Sequence, residues 1–137
     1  IDYDPKPLKV ALRKAGNEVR KLARKKISRR AVSEAGQFPG RQTGEMSRSI
    51  RTKVSKSGYS VAVYPTKTSN MPVYYPAFVV YGHRGPGTET ADQARKHKAR
   101  GGVKVAAPRK NFIPEAAQEK SKALQDQIFD ALGDAIK

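Results

Sequence analysis

Between two apolar patterns of different period lies the stretch Pro39-Gly40-Arg41-Gln42-Thr43-Gly44-Glu45-Met46-Ser47-Arg48-Ser49-Ile50. Its first part is typical of a loop with a Pro-Gly turn. Thr43 is a candidate cap for a short helical turn that runs to Ser49. From Ile50 onward, apolar and polar residues alternate as they do in a strand. The stretch therefore predicts the point at which the chain passes from helix to sheet.

The residues that follow predict a β-hairpin over 49–64. Alternation continues to Val54, and Lys56-Ser57-Gly58 is a turn signal. Alternation then resumes through Tyr59, Val61 and Val63 as far as Pro65.

The residues that precede the stretch predict a long amphipathic helix from about Pro7 to Ala31. Apolar residues recur at steps of three and four, which places them on one helix face: Leu8, Leu12, Ala15, Val19, Leu22, Ala23 and Ile27. Gly16 interrupts the pattern and is expected to weaken the helix by up to about 1 kcal/mol relative to alanine. The opposite face is basic, with Arg13, Arg20, Arg24, Lys25, Arg29 and Arg30. Such a face is usually solvated, and a nucleic-acid contact is the alternative.

The most apolar run of the chain is 73–82. Pro76 argues against one central strand and favours a short helix that begins near it and ends at Gly82. A short strand through 73–81 is the competing interpretation. Residues 83–107 form a basic, glycine-containing loop that we expect to be flexible, with a return strand near 103–107.

A second amphipathic helix is predicted after Asn111-Phe112-Ile113-Pro114-Glu115-Ala116-Ala117. Pro114 suits a first helical turn, and Glu115 favours the positive helix N-terminus. The order helix, hairpin, apolar segment, strand, helix predicts one α+β domain over 1–137. In it, the N-terminal and C-terminal helices pack on a small antiparallel sheet, and the loops are long and mobile.

The charge of the chain is strongly basic. The 137 residues include 28 Lys and Arg against 12 Asp and Glu, a net charge of +16. The segment 111–137 is the exception, with five acidic and three basic side chains. We expect this acidic helix to lie against basic surface, either within one subunit or between neighbours.

The residue types argue against catalysis and against a bound metal or cofactor. There is no cysteine, and neither of the two histidines has a carboxylate at a useful spacing. The glycine-rich segment 82–87 lacks the Lys-Ser/Thr ending of a phosphate-binding loop. No stretch approaches the roughly 20 apolar residues of a membrane span. We therefore expect no enzyme, no cofactor and no membrane partner.

Nucleic-acid binding is the rival interpretation that the composition supports. Lysine and arginine would neutralise phosphates without regard to sequence, in a salt-dependent way. The candidate DNA-facing residues are Arg95, Lys96, Lys98 and Arg100. No aromatic residues that could stack on bases accompany them.

In their order, three motifs resemble those of the bacteriophage family of small tail-completion and head–tail joining proteins. The first is Pro39 through Ile50, in which Met46 stands where the family usually has leucine. The second is Tyr75 through Gly82, in which Val80 replaces a common glutamate. The third is 111–116, in which Asn111 replaces a proline.

The resemblance implies a structural protein of the virion, assembled in the host cytoplasm. It would form a ring, commonly hexameric, at the head-proximal end of the tail. Its partners would be further copies of itself, the tail tube protein and the head connector or stopper protein, with loose contact to DNA in the lumen. Another head-completion or connector component is a further alternative, after the small basic nucleic-acid-binding protein. We expect loops 33–45 and 83–107 to contact neighbours, and the candidate interface residues are Arg41, Thr43, Gly44, Met46, Arg48, Tyr75, Phe78, Tyr81, Gly82, Phe112 and Glu115.

Overall fold

A computed structural model describes residues 2–27, 33–41, 43–71, 74–85, 103–106 and 108–136. Its helices are α1 (Lys6–Lys26), α2 (Glu45–Ser49), α3 (Pro76–Tyr81) and α4 (Phe112–Ala135). Its strands are β1 (Ile50–Val54), β2 (Val61–Pro65), β3 (His83–Gly85) and β4 (Val103–Ala106). The predicted α+β class is confirmed, as are the hairpin, the short helix at Pro76 and the return strand.

Helix α1 buries the face that the sequence predicts. Leu8, Leu12, Ala15, Val19 and Ala23 are all buried along it. The helix ends earlier than predicted, at Lys26, because Ile27 takes extended backbone angles with φ −66° and ψ 116°. The apolar period continues through Ile27, which is buried in the core after the helix has ended. The basic last turn marks this end, since cations are favoured near a helix C-terminus.

The two predicted helices pack on each other, and the hairpin packs on α1. Helix α1 makes its most extensive contacts with α4, followed by those with β1 and β2. The first and last described residues of the chain lie close together. Asp4 N donates to Ala135 O at 2.9 Å, and Tyr3 pairs with Ile136 in an isolated β-bridge. The prediction that both helices lie on the sheet is therefore refined: α1 makes the main contact with the hairpin, and α4 packs chiefly on α1.

The described strands form two separate antiparallel pairs. In the first, β1 pairs with β2 in the register Ile50↔Pro65 to Val54↔Val61. In the second, β3 pairs with β4, with a register shift between His83 and Arg84. The segment predicted as a flexible loop at 83–107 thus begins and ends in paired strands, and its residues 86–102 and 107 lie outside the described residues.

The core joins the first and third motifs to α1. Met46 and Ile50 from the first and Phe112 and Ala116 from the third are buried together. Around them pack Val19 and Ala23 of α1, Ile27 just after that helix, and partly buried side chains that include Tyr75, Val79 and Val80 of the second motif. The three motifs are therefore neighbours in space, although they are far apart in the chain.

The departure at Asn111 has a structural explanation. Its side chain caps α4 and accepts a hydrogen bond from Ile113 N at 3.3 Å. Asparagine is among the preferred residues at this position because it satisfies a free N–H of the first turn. A capping asparagine thus begins the helix at the position where the resembled family has a proline.

Candidate functional site

A cleft of about 620 Å³ lies between the first and second motifs. Its wall comes mainly from the first motif and the loop before it, with Tyr75 and Val79 from the second motif. Ile27 and Arg109 also line it. The first-motif residues that line it are Gly40, Arg41, Thr43, Gly44, Glu45, Met46 and Ser47. The cleft combines an apolar floor with arginine, hydroxyl and carboxylate groups, which suits a protein segment better than a small apolar ligand.

The backbone at Gly44 positions the mouth of this cleft. Gly44 precedes α2 with φ 78°, a conformation that glycine adopts without steric cost. A Cβ at this residue would lie 3.2 Å from Arg41 Nε, so the arginine side chain covers the glycine. Thr43 Oγ1 accepts from Glu45 N at 3.4 Å. The predicted capping role of Thr43 is thus met in part, with Gly44 at the cap position itself.

Glu45 is a buried carboxylate at the start of α2, only 7% exposed. Thr68 Oγ1 donates to Oε2 at 2.7 Å, and Arg48 Nε donates to Oε1 at 3.0 Å. Asn70 Nδ2 lies 3.5 Å from Oε1. These hydrogen bonds, those from Thr68 and Arg48 above all, hold the pKa of Glu45 below its ordinary value. The carboxylate therefore ties the loop at 68–70 to α2 at the edge of the cleft.

Replacing Glu45 by glutamine is expected to lower the unfolding midpoint in urea near pH 7, because the charge that faces Arg48 is lost. A carboxyl group whose pKa is lower in the folded state stabilises the fold above the unfolded-state pKa, about 4.3 for glutamate. That contribution disappears as the pH falls through the folded-state pKa. The variant should therefore lose less stability than the wild type between neutral pH and pH values below about 4.

Urea unfolding of wild type and Glu45→Gln across that pH range checks this expectation. Glu34→Gln, at an exposed position, is the matched control and should unfold like the wild type. Equal pH dependence in wild type and Glu45→Gln would contradict the assigned role.

The other side of the cleft is held by backbone hydrogen bonds between three segments. Gly36 N donates to Pro108 O at 3.1 Å, Lys110 N to Gln37 O at 2.9 Å, and Arg109 N to Val79 O at 3.0 Å. Arg109 Nη2 also donates to Ser33 O at 2.7 Å. The described part of the predicted contact loop at 33–45 is thus anchored at both ends, which gives the cleft a fixed rim.

The outer face of α3 carries aromatic side chains. Phe78 and Tyr81 lie three residues apart in α3, and Tyr74 lies four residues before Phe78, just ahead of the helix; all three are exposed, Tyr81 by 75%. Tyr75 and Val79 of the same segment face the core and the cleft. Exposed aromatic rings on one short helix are typical of protein–protein contact surfaces.

The predicted interface residues divide into three groups. Arg41, Thr43, Gly44 and Tyr75 share the cleft, and Arg48 lies beside it through Glu45. Phe78 and Tyr81 lie on the outer face of α3, which Gly82 ends with φ 70°. Met46 lines the cleft but is only 5% exposed, and Phe112 is buried in the core, so both side chains support the motifs mainly from inside.

Two remaining predictions concern charge. Glu115 forms an ion pair with Lys110 at 3.1 Å, at the start of α4. Arg95, Lys96, Lys98 and Arg100 lie outside the described residues. Glu45 and Arg109 were not predicted; the only sequence signal for either is the spacing of Glu45 and Arg48, which suits a pair on one helix face.

The described ranges contain no group of three or more His, Cys, Asp or Glu side chains that could hold a metal ion. Among the helices of those ranges, none is long and apolar enough to cross a membrane.

Comparison with known proteins gives one family. Residues 4–83, more than half of the chain, match the family model HK97-gp10_like, which is described as "Bacteriophage HK97-gp10, putative tail-component". The match spans α1 through α3 and so includes the first two motifs. No curated protein and no solved structure gives a significant match. The resemblance inferred from the motifs is thereby confirmed.

Proposed function

The chain belongs to the HK97-gp10-like family of bacteriophage tail components, and from this premise we propose that it completes the head-proximal end of the tail. In this role it forms a ring, hexameric by analogy with the resembled proteins, and joins the tail to the head. The work is done by assembly and not by catalysis. Its partners are further copies of the chain, the tail tube protein and the head connector or stopper protein.

One observation carries the proposal: two family motifs supply both a rigid cleft and an exposed aromatic face next to it. The cleft has a rim fixed by hydrogen bonds and a buried carboxylate, so it can receive a partner segment without first being ordered. The aromatic face of α3 supplies contact area with few rotatable bonds. Tyr81 on this face is 75% exposed and so contributes little to the packing of the monomer, which favours a role in contacts between proteins.

A phage that lacks this protein tests the proposal. Such a phage is expected to accumulate full heads and separate tails, and purified protein added to both should restore joined particles. Light scattering should show the protein binding to purified tail tubes in a fixed ratio. The assignment would be contradicted if normal virions formed without the protein, or if the protein did not bind to purified tail tubes.

Tyr81→Ser is expected to reduce joining at least tenfold in the same reconstitution while leaving the thermal unfolding of the monomer unchanged. The ring is already 75% exposed, so its loss costs the monomer little, whereas an aromatic residue at the centre of an interface typically contributes about 2 kcal/mol or more. Tyr59→Ser is the control, since Tyr59 is 63% exposed but lies at the hairpin turn. If the two variants joined heads and tails equally well, the aromatic face of α3 would not be part of the interface.

A further inference from the structure

Three arginines lie together without a carboxylate. Arg20 and Arg24 are one turn apart in α1, and Arg51 lies in β1. Arg24 Nη2 donates to Ile50 O at 3.0 Å, but the Nε atoms of Arg20 and Arg24 are buried without an acceptor. Within the described ranges, none of the three forms an ion pair. We name Arg20, Arg24 and Arg51 the arginine cluster.

The cluster carries an electrostatic cost in the isolated chain. Burial, followed by the nearby charges of Arg20 and Arg51, lowers the pKa of Arg24. Like charges on neighbouring side chains repel each other and destabilise the fold, unless an anion lies near them. Arginine guanidinium groups are well suited to carboxylates because they can donate two parallel hydrogen bonds.

Only some of the acidic side chains of α4 form ion pairs with described residues of the same chain. Lys26 Nζ lies 2.6 Å from Glu119 Oε2, and Lys110 pairs with Glu115. The first half of α4 therefore lies against basic surface of its own subunit, which is one of the two arrangements expected from the sequence; contact with a neighbouring subunit is the other. Farther along, Asp126, Asp130 and Asp134 recur every fourth residue, are exposed, and form no ion pair with any described residue.

Apolar side chains accompany this acidic row. Phe129 is 69% exposed on the distal half of α4, Leu132 is exposed beside it, and Ile136 is exposed just after the helix. An exposed Phe between two aspartates is not explained by the packing of the monomer, whose core lies on the other face of the helix. The distal half of α4 therefore combines charge and apolar area, as interface surfaces do.

We propose that Asp126 and Asp130 of one copy dock on the arginine cluster of a second copy, with Phe129 packed at the same contact. The two sets carry opposite charges and match in spacing, because Asp126 and Asp130 are four residues apart on one helix, as are Arg20 and Arg24 on the other. The contact uses two different surfaces and so builds a ring or a chain of subunits. It rests on the proposed ring and names the surfaces that close it.

Charge complementarity favours a second copy over DNA as the occupant. The distal half of α4 is acidic in a chain of net charge +16, so it would repel a phosphate backbone and needs basic protein surface. The same chain supplies that surface in the arginine cluster. Binding DNA would leave the aspartates and Phe129 without a partner.

Charge exchange tests the contact. Asp126→Lys/Asp130→Lys and Arg20→Glu/Arg51→Glu are each expected to weaken self-association at least tenfold, measured by sedimentation at low ionic strength. A mixture of the two variants should associate again, because each then offers the charge that the other needs. Asp2→Lys/Glu34→Lys changes the net charge by the same amount as Asp126→Lys/Asp130→Lys, but at other exposed positions, and should leave association unchanged.

Circular dichroism and thermal melts show whether each variant folds. If Arg20→Glu/Arg51→Glu does not, Arg51→Glu alone, at an exposed strand position, replaces it in the mixture. The inference would be overturned if the wild-type protein did not associate at concentrations up to about 1 mM, since a Kd of that size corresponds to a binding free energy of only about 4 kcal/mol. A mixture of the two variants that stays monomeric would overturn it as well. Arginine variants that lose affinity for duplex DNA but associate normally would assign the cluster to DNA and also overturn it. If a variant that no longer self-associates still joined heads to tails, this contact would not be the one that closes the ring; the inference would be overturned, while the role in joining would stand.

Discussion

Phe112→Ala is expected to lower the free energy of unfolding by about 3–5 kcal/mol, the usual cost of truncating a buried phenylalanine. The side chain is 1% exposed and packs with Met46, Ile50 and Ala116 at the point where the first and third motifs meet. Its removal would leave a cavity, because α1 and the cap at Asn111 hold the surrounding backbone in place. A domain of this size is typically stable by only about 5–15 kcal/mol, so the variant would lose a large part of its margin.

Phe129→Ala is the matched control for this experiment. It is the same substitution in the same helix, but Phe129 is 69% exposed, so unfolding should change by less than about 0.5 kcal/mol. Urea denaturation of both variants, followed by circular dichroism, gives the two values directly. Similar losses in the two, or a loss below about 1 kcal/mol at Phe112, would show that the third motif does not hold the core.

This contrast also separates stability from assembly. If Phe112 acted at an interface, its loss would weaken association and leave the monomer intact. The burial predicts the reverse order: an unstable monomer first, and poor assembly only as a consequence. Phe129→Ala should show weakened association with normal unfolding if the distal half of α4 contacts a neighbour.

The sequence predicted the elements well where the signal is local. Alternation around Lys56-Ser57-Gly58 is enough to predict β1 and β2, and Pro76 is enough to favour a helix over a strand. The end of α1 was placed too late because Ile27 keeps the helical period while already lying in extended backbone. Periodicity reports which residues are buried, and burial continues past the last helical turn.

The candidate site was predictable only in part, because its key bonds join distant residues. Glu45 lies 23 residues from Thr68 and 25 from Asn70, and no local pattern connects them. The same holds for Arg109 and Ser33, which are 76 residues apart. The motifs indicated which turns matter, whereas the carboxylate that fixes the cleft became visible only in three dimensions.

Gly16 is the position at which the structure reverses an expectation from sequence. Helix propensity alone predicts that Gly16→Ala stabilises α1 by about 1 kcal/mol. A Cβ there, however, would lie 2.5 Å from Thr52 Cγ2 and 2.5 Å from Val61 Cγ2. Both methyl groups belong to short, stiff β-branched side chains of the hairpin. Gly16→Ala is therefore expected to lower the free energy of unfolding by about 1–3 kcal/mol, the usual cost of overpacking.

Gly133→Ala makes the comparison decisive, since it is the same change in the other long helix. Nothing lies within 4 Å of a Cβ at Gly133, so alanine should raise the free energy of unfolding by as much as about 0.5 kcal/mol. Opposite signs in paired urea denaturation would place the hairpin directly on α1 at Gly16. If both variants were stabilised, the hairpin would be able to move away from α1. The contact also includes Thr52 Oγ1, which donates to Gly16 O at 3.3 Å, so movement of the hairpin would break that hydrogen bond as well.

The position of the hairpin also matters for assembly. Because β1 carries Arg51 of the arginine cluster and follows α2 directly, a displaced hairpin would disturb both the arginine cluster and the cleft, on which assembly is proposed to depend.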